Sequence, residues 1–371
     1  LRGLLQEEDL LKFPTERNLD FPRFKIEYEA SRDSRTNRYP AELVWFVANT
    51  YVFGYDLHEQ ITEENYETKM PRLGKELVPK ETFIDIRQNV ISPFYERRLL
   101  NDNKYWNRVN LIKHLNEKLS DENRYEVIFC DEAQDFNRVE LQFILGMSAY
   151  TQYDLSQLPQ FPVIFAGDAL QTVSPTGFRS GVLTAMMYDE LRALGYPEEK
   201  LREIEFSSSH NYRSSRTIVE LANAVQYFRK DKLRVTNSVI KPQVSKQPIR
   251  PQYAHLNVFV SFQNLQNNQG IKEKLRHKTI IVPVNSGETE DYRSKHPILK
   301  DLDIISAVDA KGVEFVEVAV YGFGQMWLEG VSQTTDYEKR FFFNKLYVAV
   351  TRAQHELVII DTEEAKESFW V

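Results

Sequence analysis

The run Tyr125-Glu126-Val127-Ile128-Phe129-Cys130 ends abruptly in two acids, Asp131 and Glu132. A short apolar run of this length predicts a buried strand. In open α/β sheets, ligands sit at the carboxyl ends of the strands, which is where these acids fall. Adjacent carboxylates there suit a hard divalent cation such as Mg²⁺, which takes oxygen ligands and keeps several waters. One acid can hold the metal while the other orients or deprotonates a water, as nucleotide hydrolysis requires. Taken alone, the pair is equally a solvated turn; the residues downstream decide between the two.

Four further stretches follow in order. Residues 161–166 predict a second buried strand, closed by Gly167-Asp168-Ala169-Leu170-Gln171-Thr172. A short strand at 202–206 precedes His210-Asn211-Tyr212-Arg213-Ser214-Ser215. The planar, always charged guanidinium of Arg213 suits bidentate contact with phosphate. Residues 279–282 and 303–308 predict two paired strands, and after them stands Asp309-Ala310-Lys311-Gly312-Val313-Glu314-Phe315. Last comes Leu346-Tyr347-Val348-Ala349-Val350-Thr351-Arg352-Ala353, with a strand at 357–360 behind it.

Between these stretches the chain is helical. Leu43, Val44, Val47 and Tyr51 fall at helical spacing, as do Leu111, Ile112, Leu115 and Leu119 within 105–119. Helices are predicted at 82–100, broken by Pro93, and at 137–150, 183–194 and 217–228. Gly195, Pro197 and the charged run to Arg202 make a linker.

Acids followed by Gln134 and Asp135, then this series, resemble the UvrD/Rep/PcrA-like branch of superfamily 1 nucleic-acid helicases. The matching motifs are DExxD, GDxxQ, NYRS, SKGLEF and YVAxTRA, and they cover roughly residues 120 to 361. The resemblance implies an α/β chain of two RecA-like parallel-sheet domains, the first with a helical insertion. Residues 1–40 are then a polar segment of domain 1, 41–120 the insertion, 121–200 the RecA-like part of domain 1, and 201–371 domain 2. It implies ATP and Mg²⁺, with single-stranded DNA or RNA as the polymer. Asp131 would hold the metal and Glu132 would activate water. Gln171 would sense the γ-phosphate and Arg352 would act as an arginine finger. Arg213, Gly312, Glu314 and Gln134 would contact the nucleotide. Ser306 and Lys311 would face nucleic acid, although the family usually carries Thr and His where this chain has Ser306 and Val308.

No G-x-x-x-x-G-K-[ST] occurs in the 371 residues. Gly74-Lys75 is followed by Glu76 and does not make one. The chain also begins at Leu1 rather than Met, so we expect a trimmed or internal piece of a longer protein. The missing loop and the departure from the SKGLEF-type motif at Ser306 and Val308 support an alternative: a helicase-derived module that binds nucleic acid or a protein partner without ATP turnover.

The net charge of −7 excludes a bulk basic field, so polyanion binding must use local patches. Two tracts qualify: Arg229, Lys230, Lys232, Arg234, Lys241, Lys246 and Arg250, then Lys272, Lys274, Arg276 and Lys278. Each is equally a solvated Lys-rich face. No apolar run reaches the roughly 18 residues of a membrane span, and the acidic start is unlike a signal peptide. The single cysteine, Cys130, rules out an internal disulfide and reads as a small packing residue. A cytoplasmic protein without a membrane partner is expected.

Overall fold

The computed structural model describes residues 6–31, 38–73, 78–120, 124–153, 161–173, 180–193, 195–196, 208–233, 240, 242–248 and 258–370. The strand expected at 202–206 and the dipeptide at 74–75 lie outside these residues. The chain divides into two compact units, residues 1–204 and 205–371. Both mix helices with parallel strands. Among the described residues, no helix is long and apolar enough to cross a membrane.

Unit 1 begins as a helical assembly. Its helices are α1 (Glu7–Lys12), α2 (Phe21–Glu29), α3 (Ala41–Phe46), α4 (Tyr66–Leu73), α5 (Lys80–Ile86) and α6 (Arg108–Glu117). Aromatic side chains fill the space between them: Phe24 stacks on Tyr28 and packs on Tyr95, which also stacks on Phe53. α3 and α5 continue as wider turns over Val47–Val52 and Arg87–Asp102. At the ends of those turns the backbone bonds reach five residues back, Phe53 to Ala48 and Asn103 to Arg98. Pro93 therefore does not break the helix as expected. A proline ring clashes with the carbonyl four residues back in an α-helix, and the wider turn moves that carbonyl away.

The sheet of unit 1 follows. β1 (Ile128–Cys130) pairs in parallel with β2 (Val163–Phe165), Phe129 opposite Ile164. α7 (Arg138–Gly146) starts at Asn137, whose side chain accepts from the Glu140 amide while Glu140 accepts from the Asn137 amide. Cys130 and Val163 pack with Leu141, Leu145, Met186 and Leu191 of α7 and α8 (Ser180–Ala193). The opposite face is open: Phe129 is 75% exposed and Ile164 52%. The expectation of a fully buried strand is thus corrected. An apolar run predicts a strand but not how many of its faces are covered.

Unit 2 opens with a short parallel pair, β3 (His210–Asn211) and β4 (Val244–Ser245). Its main sheet is built of β5 (Val258–Ser261), β6 (Thr279–Val282), β7 (Ile304–Ser306), β8 (Phe315–Tyr321) and β9 (Ala353–Asp361), all parallel, in the order β5-β9-β8-β6-β7. β6 pairs with β7 as expected, Ile281 opposite Ile305. Ile280, Val282, Ala319, Val358 and Ile360 line one face with Leu265, Leu275, Leu299 and Leu302. The helices of this unit are α9 (Arg216–Leu233), α10 (Phe262–Asn267), α11 (Gln269–Leu275), α12 (Thr289–Lys295), α13 (Phe323–Glu329) and α14 (Asp336–Thr351), and the other face of the sheet meets α9 and α14. Covering both faces is the usual condition of an all-parallel sheet.

Candidate functional site

In unit 1, the parallel register of β1 and β2 delivers residues 131–132 and 167–168 side by side. The Ala166 amide donates to Cys130 O (2.8 Å), and the Ala133 amide then donates to Ala166 O (2.8 Å). To make that return the chain turns sharply at Glu132, which adopts φ 54°, ψ 37°. This left-handed conformation is rare for a residue with a Cβ, and such strained positions cluster at functional sites. The Glu132 amide donates to Asp131 Oδ1 (2.9 Å). Both carboxylates are exposed.

Behind them lies Gln134, fully buried. Its Nε2 donates to Glu132 Oε2, and its Oε1 accepts from the Asp168 amide (3.0 Å). Gly167 is the residue that permits this, because a Cβ there would collide with Gln134 Oε1. Asp168 in turn accepts from the Leu170 amide through Oδ1 (2.9 Å) and from Gln171 Nε2 through Oδ2 (3.1 Å). Glu132, Gln134, Asp168 and Gln171 are therefore one hydrogen-bonded chain. The expectation that Gln134 touches a nucleotide is corrected: both ends of its amide are engaged inside the protein. Cys130 is buried beside Asp131, and burial, with that carboxylate, pushes its thiol up to about 11, away from nucleophilic use.

Among the described residues, no three His, Cys, Asp or Glu side chains gather as a metal-binding group. Mg²⁺ does not need such a cage. It binds through one or two carboxylates and keeps waters, so the exposed pair Asp131 and Glu132 fits it.

In unit 2 Arg213, Gly312, Glu314 and Arg352 lie about the amino ends of β8 and β9, where Phe315 pairs with Ala353, whereas Ser306 ends β7. The turn at 211–215 is shaped by Asn211, whose Oδ1 accepts from the amides of Arg213 and Ser214 (both 2.9 Å). Ser214 Oγ donates to Ala353 O (2.7 Å) and the Ser215 amide donates to Gln354 O (2.8 Å). These bonds dock the turn on the start of β9. Arg213 Nε then pairs with Glu314 Oε1 at 2.6 Å, and Gln354 Nε2 donates to Glu314 Oε2 at 3.0 Å. Gly312 takes φ +79°, which reverses the chain ahead of Glu314 at no steric cost. The ring of Tyr212, beside Arg213, is 71% exposed.

Arg352 caps α14 and is only 2% exposed. Its Nε donates to Val348 O (3.3 Å) and its Nη1 to Val313 O (3.4 Å). A cation on the carbonyl end of a helix is favourable there. Ser306 is also fully buried; its Oγ donates to Asp309 Oδ2 (2.7 Å) and accepts from the Asp309 amide (2.9 Å). That hydroxyl closes a turn, which corrects its expected place on a nucleic-acid face. Lys311 is half-buried.

Several contributing residues were not anticipated. Gln354 gave no signal beyond its place two residues after Arg352. Asn211 could have been found, since Asn before a turn bonds to backbone two residues on. Gly167 could have been found too, as a glycine at a strand end marks close approach. Charge also divides unevenly. Unit 1 has 25 Lys and Arg against 34 Asp and Glu, and unit 2 has 22 against 20, so the units carry −9 and +2.

Compared with known proteins, the chain matches no family model and no curated protein. What ties it to any activity is therefore its own residues and their arrangement.

Proposed function

We propose that this chain is the greater part of an ATP-driven motor that moves along single-stranded nucleic acid, DNA in the first instance. One observation carries this reading: Asp131 and Glu132 stand at the carboxyl end of a parallel strand pair, and Glu132 is hydrogen-bonded through Gln134 and Asp168 to Gln171. An acid pair tied to an amide on the neighbouring strand end is what hydrolysis of a terminal phosphate requires, a base for water and a polar group nearby.

Mg²⁺, held by Asp131, would supply charge neutralisation on the phosphate oxygens. Glu132 would take a proton from a water as that water's oxygen bonds to the γ-phosphorus. The bond from γ-phosphorus to the bridging oxygen breaks, leaving ADP and inorganic phosphate. Gln171 would hold the attacking water or a γ-oxygen. Arg213 and Glu314, already paired at half-exposed positions, would exchange partners: the guanidinium to phosphate, the carboxylate to a ribose hydroxyl. The exposed ring of Tyr212 is suited to stacking on a base. Arg352 would have to leave its helix carbonyls before reaching a phosphate. A soluble, probe-sized test is direct: ATP hydrolysis by the full-length protein, with and without single-stranded DNA or RNA. Stimulation that disappears in Glu132→Gln supports the motor. No hydrolysis under any condition rejects it.

The burial of Arg352 and the absence of a phosphate-cradling loop among these 371 residues favour a second reading. In it the chain binds nucleic acid or a protein partner without turnover. Single-stranded DNA binding that is indifferent to ATP, with no hydrolysis, would select this alternative.

A further inference from the structure

We propose that Gln134 is a positioning residue for Glu132, setting the catalytic geometry through a link that Gly167 keeps open; this rests on the hydrolytic reading above. Three observations converge on it. Glu132 occupies a left-handed conformation, so its side chain leaves the strand end in a direction that ordinary strand or helix geometry does not give. Glu132 is an exposed residue, a position where a Glu side chain ordinarily samples many rotamers. Gln134 narrows that set, because it donates to the Glu132 carboxylate while its own side chain is fully buried and fixed at the far end by the Asp168 amide. The amide thus spans from the end of β2 to the side chain that follows β1.

The choice of glutamine is chemically specific. The site needs one donor toward Glu132 and one acceptor toward Asp168 N–H, and a primary amide supplies both at the two ends of one planar group. Glutamate would offer two acceptors and lose the donation to Glu132. Methionine has similar length and shape and offers neither. Gly167 completes the set. Its Cβ would strike the acceptor oxygen of Gln134, so Gly167→Ala displaces the same amide without changing it chemically. Because Asp168 also holds Gln171, the link places the water-directed acid and the phosphate-directed amide in one frame.

The experiment uses the full-length protein and measures steady-state ATP hydrolysis together with equilibrium binding of a fluorescent ATP analogue. Wild type and Glu132→Gln set the scale. Gln134→Met and Gly167→Ala should each lower kcat on the order of 10- to 100-fold, the size of effect that misplacing a reacting group produces. Nucleotide affinity should stay within about twofold, since the lost interaction acts on the transition state rather than on binding. The double variant should be no worse than Gln134→Met alone, since both act on one contact. If Gln134→Met does not fold, as judged by near-ultraviolet circular dichroism, Gln134→Glu serves instead and should show the same split. A variant at 134 that keeps kcat within about twofold of wild type, or that weakens nucleotide binding at unchanged kcat, overturns the proposal while leaving the hydrolytic reading intact. An inactive wild type removes both.

Discussion

The two units place their candidate residues at opposite ends of their strands. In unit 1 the acids stand at the carboxyl ends of β1 and β2, where ligands of open parallel sheets are usually found. In unit 2 Arg213, Glu314 and Gln354 gather at the amino ends of β8 and β9. The support differs as well. The acids of unit 1 are exposed, and their geometry comes from a strained turn and one buried amide. The arginine turn of unit 2 is fastened to a sheet covered on both faces. A site held by loop geometry is tuned by single polar contacts, whereas a site held by a packed sheet fails only when the sheet does. The largest effect should therefore come from the chemistry of the exposed acids. Glu132→Gln keeps shape and solubility, and on the hydrolytic reading it should lower turnover about 10²- to 10⁴-fold, the range for loss of a general base. Its melting temperature should match wild type, because the residue is exposed and a glutamine oxygen can still accept from Gln134. A Glu132→Gln protein that hydrolyses ATP normally would remove the distinction drawn for unit 1.

The sheets themselves give the next largest contrast. Ile281 lies on β6, an interior strand of unit 2's sheet, and is fully buried. Ile281→Ala should cost about 2–5 kcal/mol of stability, the range for a truncated core isoleucine. Phe129 is 75% exposed, and Phe129→Ala should change stability by no more than about 0.5 kcal/mol, as surface substitutions do. Urea denaturation of each variant measures both. A large loss at Phe129 would mean that the open face of β1 and β2 is covered in solution.

That contrast also marks how far the sequence could be followed. The existence of β1, β2, β6, β7 and β9 was legible, because each is a short apolar run bounded by polar turns. The pairing of β6 with β7 was legible from adjacency. The open face of β1 was not, since a run with both faces apolar carries no period by which to tell a covered face from a bare one. The acids and the arginines were visible as motifs, but side-chain partners were not. Nothing in the spacing of Gln134 says that its amide turns inward, and nothing in Ser306 says that Asp309 will claim its hydroxyl. Pro93 misled because the rule for proline assumes four-residue bonding, and the helix there bonds over five.

Within unit 2 a smaller contrast separates two arginines that the motifs treat alike. Arg352 is buried on the carbonyl end of α14, and Arg352→Ala removes a packed side chain together with its bonds to the Val348 and Val313 carbonyls, although Val348 O keeps the residue-352 amide and the Thr351 hydroxyl as donors. It should cost about 1–3 kcal/mol of stability, the usual range for a substitution that empties a buried, hydrogen-bonded position. Arg213 is half-exposed in a surface ion pair, so Arg213→Ala should change stability by about 0–1 kcal/mol while weakening nucleotide affinity. Thermal melts with parallel nucleotide titrations separate the two. Equal stability loss at both positions would show that the turn at 211–215 depends on its ion pair rather than on Asn211 and Ser214.

The smallest expected effect is one of pH and belongs to unit 1. Asp9 of α1 is buried, and its Oδ1 accepts from Lys118 Nζ and lies against His114 Nε2 of α6, both at 2.6 Å. Its Oδ2 accepts from the Gln6 amide (3.2 Å), and Glu8 also pairs with Lys118 (3.1 Å). The ammonium of Lys118, then the His114 contact, holds the Asp9 carboxyl far below its ordinary value of 3.8. The folded state therefore binds that proton more weakly than the unfolded state does. The linkage contributes stability that is complete above pH 3.8 and is lost as the pH falls below it. Lys118, raised above 10.5 by Asp9 and Glu8, gives the opposite limb: its contribution is complete below pH 10.5 and fades as the pH rises through its folded value. Hydrogen exchange at the amides of α1, followed from pH 6 to pH 3, should show protection lost at the acid end after correction for the intrinsic rate. Asp9→Asn should lower protection at pH 6 and flatten that dependence, with the strands of unit 2 unaffected. An Asp9→Asn protein with the wild-type acid profile would show that α1 is held by the packing of Phe13 on Trp106 and His114 rather than by its buried carboxylate.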